Sequence, residues 1–241
     1  MKDGVYQMNL LITGAGRGLG LELTKQAAAR GHTVVACVRD TEGAVALREA
    51  AEQYPGRIRI ESFDIVSETE AQRLADRLKQ DAFVLDGIVN NAGILLGRDG
   101  GIASLSLDDT RRTFEVNLFG PLIVAKHLTP LLRESESGAE IVVNISSEAG
   151  SFSGAYGGDY PYALSKMALN MFSKQLNEEL KPRGIRALAV HPGWIRTDMG
   201  GQAAPLSPED SATGILNLVE GTTAVPEETF FVDYAGRPMP L

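Results

Sequence analysis

An α/β architecture, a doubly wound parallel sheet of seven strands with helices on both faces, is the fold class this 241-residue sequence predicts. Two observations carry it. Short β-branched runs alternate with amphipathic segments of about 12 to 20 residues, the pattern of repeated βαβ units. The runs "LLIT", "TVVACV" and "EIVVNIS" are apolar without alternation, as strands are when helices cover both faces of a sheet.

In chain order the first strand is expected at 9–13, running through a glycine-rich turn into a helix over 18–30 whose apolar residues fall at helical spacing. A strand at 33–38 carries Cys37, read as a small inert core residue, and leads to a helix over 42–53. Strand 57–62 is followed by helix 68–80, and strand 85–90 by a long helical stretch, 107–133, broken near 117–121. Strand 140–146, helix 162–181, strand 185–191, helix 207–220 and strand 229–232 complete the alternation. The glycine-rich pieces at 97–101 and 154–159 read as loops, and no linker or repeat divides the chain, so 1–241 is expected as one domain.

Hydrophobic residues make up 44% and charged residues 22%, ordinary for a soluble protein, and no apolar stretch reaches the roughly 20 residues of a membrane span. The first 30 residues lack the layout of a secretory signal. A net charge of -8 argues against general affinity for nucleic acid or anionic membrane, so a polyanion must be met locally. One cysteine excludes an internal disulfide and fits a reducing, cytoplasmic setting. His32, His127 and His191 lie far apart without ligand spacing; they are read as structural, and no metal site is expected.

The first βα turn of such a sheet is where a helix N-terminus meets pyrophosphate with free N–H groups and a favourable dipole. Gly14, Gly16, Gly18 and Gly20 stand there, but counting from Gly14 or Gly16 puts Leu19 or Leu21 at the last glycine of G-x-G-x-x-G. The spacing is instead T-G-x-x-x-G-x-G, from Thr13 through Gly14 and Gly18 to Gly20. Such glycines serve either a cofactor or close packing.

Further stretches decide between the two. "TGAGRGLG" at 13–20, "NNAG" at 90–93, Asn117 in "FEVNLFG", "NISS" at 144–147, "YALSK" at 162–166 and "HPGWIRTDM" at 191–199 follow one another at strand ends and helix starts. In this joint order the chain resembles the short-chain dehydrogenase/reductase family in its single-domain Rossmann form. The last stretch also looks like the branch holding the sniffer-type carbonyl reductases and the C-factor-like proteins.

The resemblance implies transfer of a hydride between a nicotinamide and a small carbonyl or alcohol substrate. That chemistry leaves alkoxide charge, so the site needs an acid at the carbonyl oxygen and donors aimed at it. Tyr162 and Lys166 stand four apart, on one face of a helix. By resemblance Tyr162 donates the proton, Lys166 lowers its pKa and holds the nicotinamide ribose, Ser147 bonds the carbonyl oxygen, and Asn117 supports a water relay. Tyr160 is a decoy, since Leu164 lies four residues on, and Ser146 competes with Ser147 as the strand-end hydroxyl. Segments 147–160 and 192–220 are expected to form the substrate site, with the longer interval from Ser147 to Tyr162 as a departure from the family pattern.

For the dinucleotide the resemblance implies the turn residues Gly14, Arg17, Gly18 and Leu19, then Asp64 and Ile65 at the adenine and Asn91, Ala92 and Gly93 along the ribose. Pro192, Gly193, Ile195 and Thr197 are expected beside nicotinamide and pyrophosphate. The second strand ends in Arg39 and Asp40. An acid there receives the 2′-hydroxyl of NAD, whereas a guanidinium offers charge-assisted bonds to the 2′-phosphate of NADP. Arg39 with Arg17 favours NADP(H), and the adjacent Asp40 keeps NAD(H) as the alternative. The expected partners are a small molecule and further copies of the chain, as homodimer or homotetramer. A dinucleotide-binding signalling protein with little turnover is the competing reading.

Overall fold

Parallel pairing runs through the whole sheet of a computed structural model of the chain, which describes residues 6–98, 101–134 and 140–241. Its strands are β1 (Asn9–Thr13), β2 (Thr33–Val38), β3 (Ile58–Ser62), β4 (Gly87–Asn90), β5 (Glu140–Ile145), β6 (Ile185–His191) and β7 (Phe231–Asp233). They are hydrogen-bonded in the order β3-β2-β1-β4-β5-β6-β7. Strand order therefore reverses between β1 and β4, and a crevice opens at their carboxyl ends where such sheets bind ligands. The helices are α1 (Gly18–Ala29), α2 (Val45–Gln53), α3 (Glu68–Gln80), α4 (Leu107–Phe114), α5 (Gly120–Leu128), α6 (Tyr160–Leu180) and α7 (Pro208–Val219).

Successive strand side chains point to opposite faces, so each apolar run feeds two cores. Leu10 and Ile12 of β1 join Val34 and Ala36 of β2 beneath α1, α2 and α7, with Leu23, Leu47 and Ile215. Leu11, Val35 and Cys37 point the other way, into a core with Leu74 of α3, Val124 of α5 and Leu176 of α6. Cys37 is buried there, and burial holds its thiol far above the ordinary range, an inert core residue as expected.

Several boundaries differ from the sequence reading, each for a local reason. Asp40 accepts from Gly43 N–H at 2.9 Å, making a turn where a helix was expected, and α2 begins at Val45. Pro161 in its first turn lets α6 begin at Tyr160, two residues earlier than expected. The stretch 107–133 is divided: α4 passes through a π-helical turn, Glu115–Phe119, into α5, and a 3-10 turn follows at Thr129–Leu131. Pro121 has no N–H to donate one turn back, and Gly120 N–H reaches Glu115 instead. Leu85 makes only an isolated bridge to Leu132 ahead of β4. Residues 99 and 100 of the expected glycine loop lie outside the described residues. No helix among the described residues is long and apolar enough to cross a membrane.

Candidate active site

One cavity of about 1060 Å³ lies along the carboxyl ends of the strands, and every residue expected to hold the dinucleotide lines it. Its floor is the turn between β1 and α1. Gly14 and Gly18 have φ of +67° and +53°, and a Cβ on Gly14 would sit 2.9 Å from the Ala92 Cα. A Cβ on Gly20 would meet the Gly14 carbonyl at 2.2 Å and the Asn91 side chain at 2.4 Å. These glycines bring the turn against the exit of β4, which is stitched to it. Thr13 Oγ1 accepts from the Asn91 and Ala92 N–H groups at 3.1 Å, and Asn91 Nδ2 donates to the Thr13 and Gly14 carbonyls at 3.0 and 3.2 Å. Gly20→Ala is accordingly expected to lower stability by about 2 kcal/mol, read as a fall in Tm, because rigid backbone must shift to admit one methyl.

At the far corner Arg39 and Asp40 leave β2 exposed. The Asp40 carboxylate faces its own turn at Gly43, whereas Arg39 has no ion-pair partner among the described residues. Arg17 reaches across the mouth to Asp198 at 3.0 Å, with both side chains about four-fifths exposed. A pair so exposed is worth little, about 0–1 kcal/mol, and opens readily to another anion.

At the other end stand Tyr162, Ser147 and Lys166. Lys166 Nζ donates to the Ile145 carbonyl at 2.7 Å and lies 5.5 Å from the centre of the Tyr162 ring. Burial pulls its pKa down to about 8. Burial also pushes the Tyr162 phenol above its ordinary value, while the Ser147 hydroxyl and the Arg98 guanidinium draw it back and Asp159 adds to the rise. Lys166 is thus a buried group standing beside the phenol ring. Ser147 caps the Glu148–Gly150 turn, accepting from Ala149 N–H at 3.1 Å, and lines the cavity.

Ser146 also reaches the cavity lining, but its hydroxyl is taken: it donates to Asn170 Oδ1 at 2.5 Å, and Asn170 Nδ2 donates to the Gly150 carbonyl at 3.2 Å. Of the two serines, Ser147 is the one beside the Tyr162 phenol. Tyr160 lies outside the lining.

Asn117 lies behind the wall rather than in it. Its amide exchanges two hydrogen bonds with Ile94, at 2.8 and 2.9 Å, and donates to Ser165 Oγ at 3.1 Å. It clamps the β4 exit to α6. Only the missing side chain of Gly93 separates it from Lys166, since a Cβ there would lie 3.4 Å from Asn117 Oδ1 and 3.7 Å from Lys166 Nζ. The expected substrate wall 192–220 lines the cavity only as far as Gly200. The reason is α7, whose Ile215, Leu216 and Val219 are committed to the core against α1.

Sequence reasoning missed Arg98, His191, Met239 and Pro240 among the lining residues, whereas Tyr156 and Asp159 fall within the expected segment 147–160. Arg98 lines the cavity with Nε 3.9 Å from Asp159, and Tyr156 donates to the other Asp159 oxygen at 2.7 Å. Asp159 holds an unusual left-handed conformation, φ 46°, at the start of α6. Met239 and Pro240, far along the chain, also line the cavity. His191 does too, its Nδ1 accepting from Glu148 N–H at 3.2 Å, and burial pulls its pKa down.

The donor set fits a dinucleotide: a glycine floor that a Cβ would fill, at one corner a guanidinium without an ion-pair partner among the described residues, and at the other end a buried ammonium. Comparison with known proteins gives the same direction. A family model described as short chain dehydrogenase matches residues 8–206. C-signal of Myxococcus xanthus is 36% identical over 157 residues, which are 65% of this chain and 92% of that protein. The carbonyl reductase Sniffer of D. melanogaster aligns with a TM-score of 0.88 at 30% identity, covering 98% of this chain and 100% of that one. An NADPH-bound carbonyl reductase from chicken fatty liver aligns with a TM-score of 0.86 at 28% identity, covering 98% and 99%.

Proposed function

The chain belongs to the short-chain dehydrogenase family, and from that membership we propose that it is an NADPH-dependent carbonyl reductase, or in reverse an alcohol dehydrogenase, with Tyr162 as its general acid and base. The observation that carries the proposal is the gathering of Tyr162, Ser147 and a buried Lys166 at one end of the glycine-floored cavity. A reduced nicotinamide bound there supplies the hydride. Ser147 donates to the substrate oxygen as negative charge develops on it. Tyr162, protonated at neutral pH because burial raises it, gives its proton to that oxygen and takes one in the reverse direction. Lys166 orients the ribose and keeps positive charge beside the phenolate that forms. Asn117 holds the β4 exit so that a water beside Gly93 can reach Lys166.

The preference for NADPH is supported by the Arg39 guanidinium, free while Asp40 is turned away, and by the NADPH-bound neighbour from chicken. Arg17 exchanges Asp198 for phosphate. Arg39→Ala is expected to raise KM for NADPH about tenfold while leaving KM for NADH within about twofold, since a charge-assisted bond is worth about 1.5–3 kcal/mol. Paired initial-rate measurements with both nucleotides check this, and an equal rise for both would remove Arg39 from 2′-phosphate recognition.

The whole reading is tested by NADPH and NADH oxidation against a panel of aldehydes, aromatic ketones, quinones and keto-esters. Turnover with NADPH preferred is the expected result. The second reading, a dinucleotide-binding signalling protein, is favoured by the 36% match to C-signal. Tight NADPH binding without turnover across the panel would select it. Phe119 at the end of the π turn, Leu122 of α5, and Leu164 and Met171 of α6 are exposed and support assembly as homodimer or homotetramer.

A further inference from the structure

The chain after β7 supplies a wall of the cavity that the proposed reaction leaves without a role. Asp233, at the end of β7, organises a tight turn: one carboxylate oxygen accepts from the Ala235 and Arg237 N–H groups at 2.9 and 3.0 Å. The other oxygen accepts from Arg237 Nε at 2.7 Å. Gly236 turns the chain at φ +82°, and the segment runs back antiparallel, with Val232 bridging Pro238 and Met239 N–H donating to the Phe231 carbonyl at 3.0 Å. This return strand delivers Met239 and Pro240 to the cavity. Beyond them Ser153 N–H donates to the Leu241 main-chain oxygen at 3.2 Å, tying the segment to the loop that follows Ser147. The strap is therefore held at the sheet edge and again at the cavity rim.

What it helps to build is an apolar rim. Tyr156, Trp194 and Met199 line the same cavity, yet 56%, 52% and 41% of their surfaces remain in water. Of the charged side chains lining the cavity there, Arg98 faces Asp159 and Arg17 pairs with Asp198. Apolar surface left wet at a cavity mouth is recovered when an apolar ligand covers it, and a thioether adapts to the shape of what it meets.

We propose that Met239 and Pro240 are specificity-determining residues, a strap that selects carbonyl substrates carrying a large aromatic group. The inference rests on the carbonyl reductase reading: the reacting carbonyl lies at Tyr162 and Ser147, and the aromatic group extends outward to the strap.

The test compares wild type with Met239→Ala on naphthaldehyde and propanal. The expected result is an approximately tenfold fall in the naphthaldehyde-to-propanal ratio of kcat/KM, carried by KM, as removal of apolar contact from a substrate pocket produces. Arg237→Ala, which breaks the Asp233 latch outside the cavity, shifts the ratio the same way. A separate titration follows quenching of Trp194, the single tryptophan of the chain, by naphthaldehyde in the NADP-loaded protein. Met239→Ala is expected to weaken that binding about tenfold. A ratio and a Kd within about twofold of wild type, or an equal loss for both aldehydes, would overturn the strap. If neither aldehyde is turned over, the reductase reading fails by itself while the Trp194 titration still decides the strap.

Discussion

Tyr162→Phe is expected to lower kcat by about a thousandfold, within the range that a positioned acid contributes, while NADPH affinity stays within about twofold of wild type. The substitution removes one oxygen from a half-buried ring and leaves its packing, including the contact with Lys166 at 5.5 Å, in place. The direction of the phenol's titration sharpens the prediction. Burial raises it, and Ser147 and Arg98 only partly restore it, so the proton is present through the neutral range and reduction is favoured there. Oxidation of an alcohol needs the deprotonated form and is expected to rise with pH towards the phenol's own value. Initial rates in both directions, with NADPH binding followed in parallel, check both statements. A Phe variant that retains wild-type turnover would remove Tyr162 from the chemistry.

Much of this arrangement is legible in sequence, because strand ends and helix starts mark where the residues fall. Short β-branched runs alternating with amphipathic segments mark every strand of the sheet to within a few residues, and the turn glycines announce the floor of the cavity. The missed parts are those where the chain returns from a distance or where a side chain has two uses. Arg98 lies within a loop with no periodicity, and only the fold brings it to Asp159. Met239 and Pro240 arrive through a hairpin whose signal, Asp233 followed by Gly236, is a common turn pattern. Asn117 stood out by motif, but that it works from behind the wall depends on the π turn that Pro121 imposes. A buried relay of amides joins two of the quoted stretches in a way the motifs do not announce: Asn90 Nδ2 donates to Asn144 Oδ1 at 2.8 Å, and Asn144 Nδ2 to Ser173 Oγ at 2.9 Å. Their mutual bonding follows only when β4, β5 and α6 are packed together.

Lys166→Met separates catalytic need from structural support. In the native protein the ammonium is buried and titrates at about 8, against an ordinary value of 10.5 that the unfolded chain retains. Between those values the unfolded chain holds a proton that the native state has released, so stability attributable to this residue rises with pH across that window. Below about pH 8 the native state bears the full cost of the buried charge, about 3 kcal/mol. Methionine removes that cost but leaves the Ile145 carbonyl without its 2.7 Å donor, a loss of about 1–3 kcal/mol. The variant is therefore expected to match or exceed wild type in stability near neutral pH and to fall below it by about pH 10, with kcat reduced at least about a hundredfold throughout. Urea unfolding of both cofactor-free proteins across that range measures the difference, in which every other titrating group cancels. A stability difference that stays flat with pH would show that Lys166 titrates at its ordinary value. A variant that keeps its activity would show that the buried cation serves the fold alone.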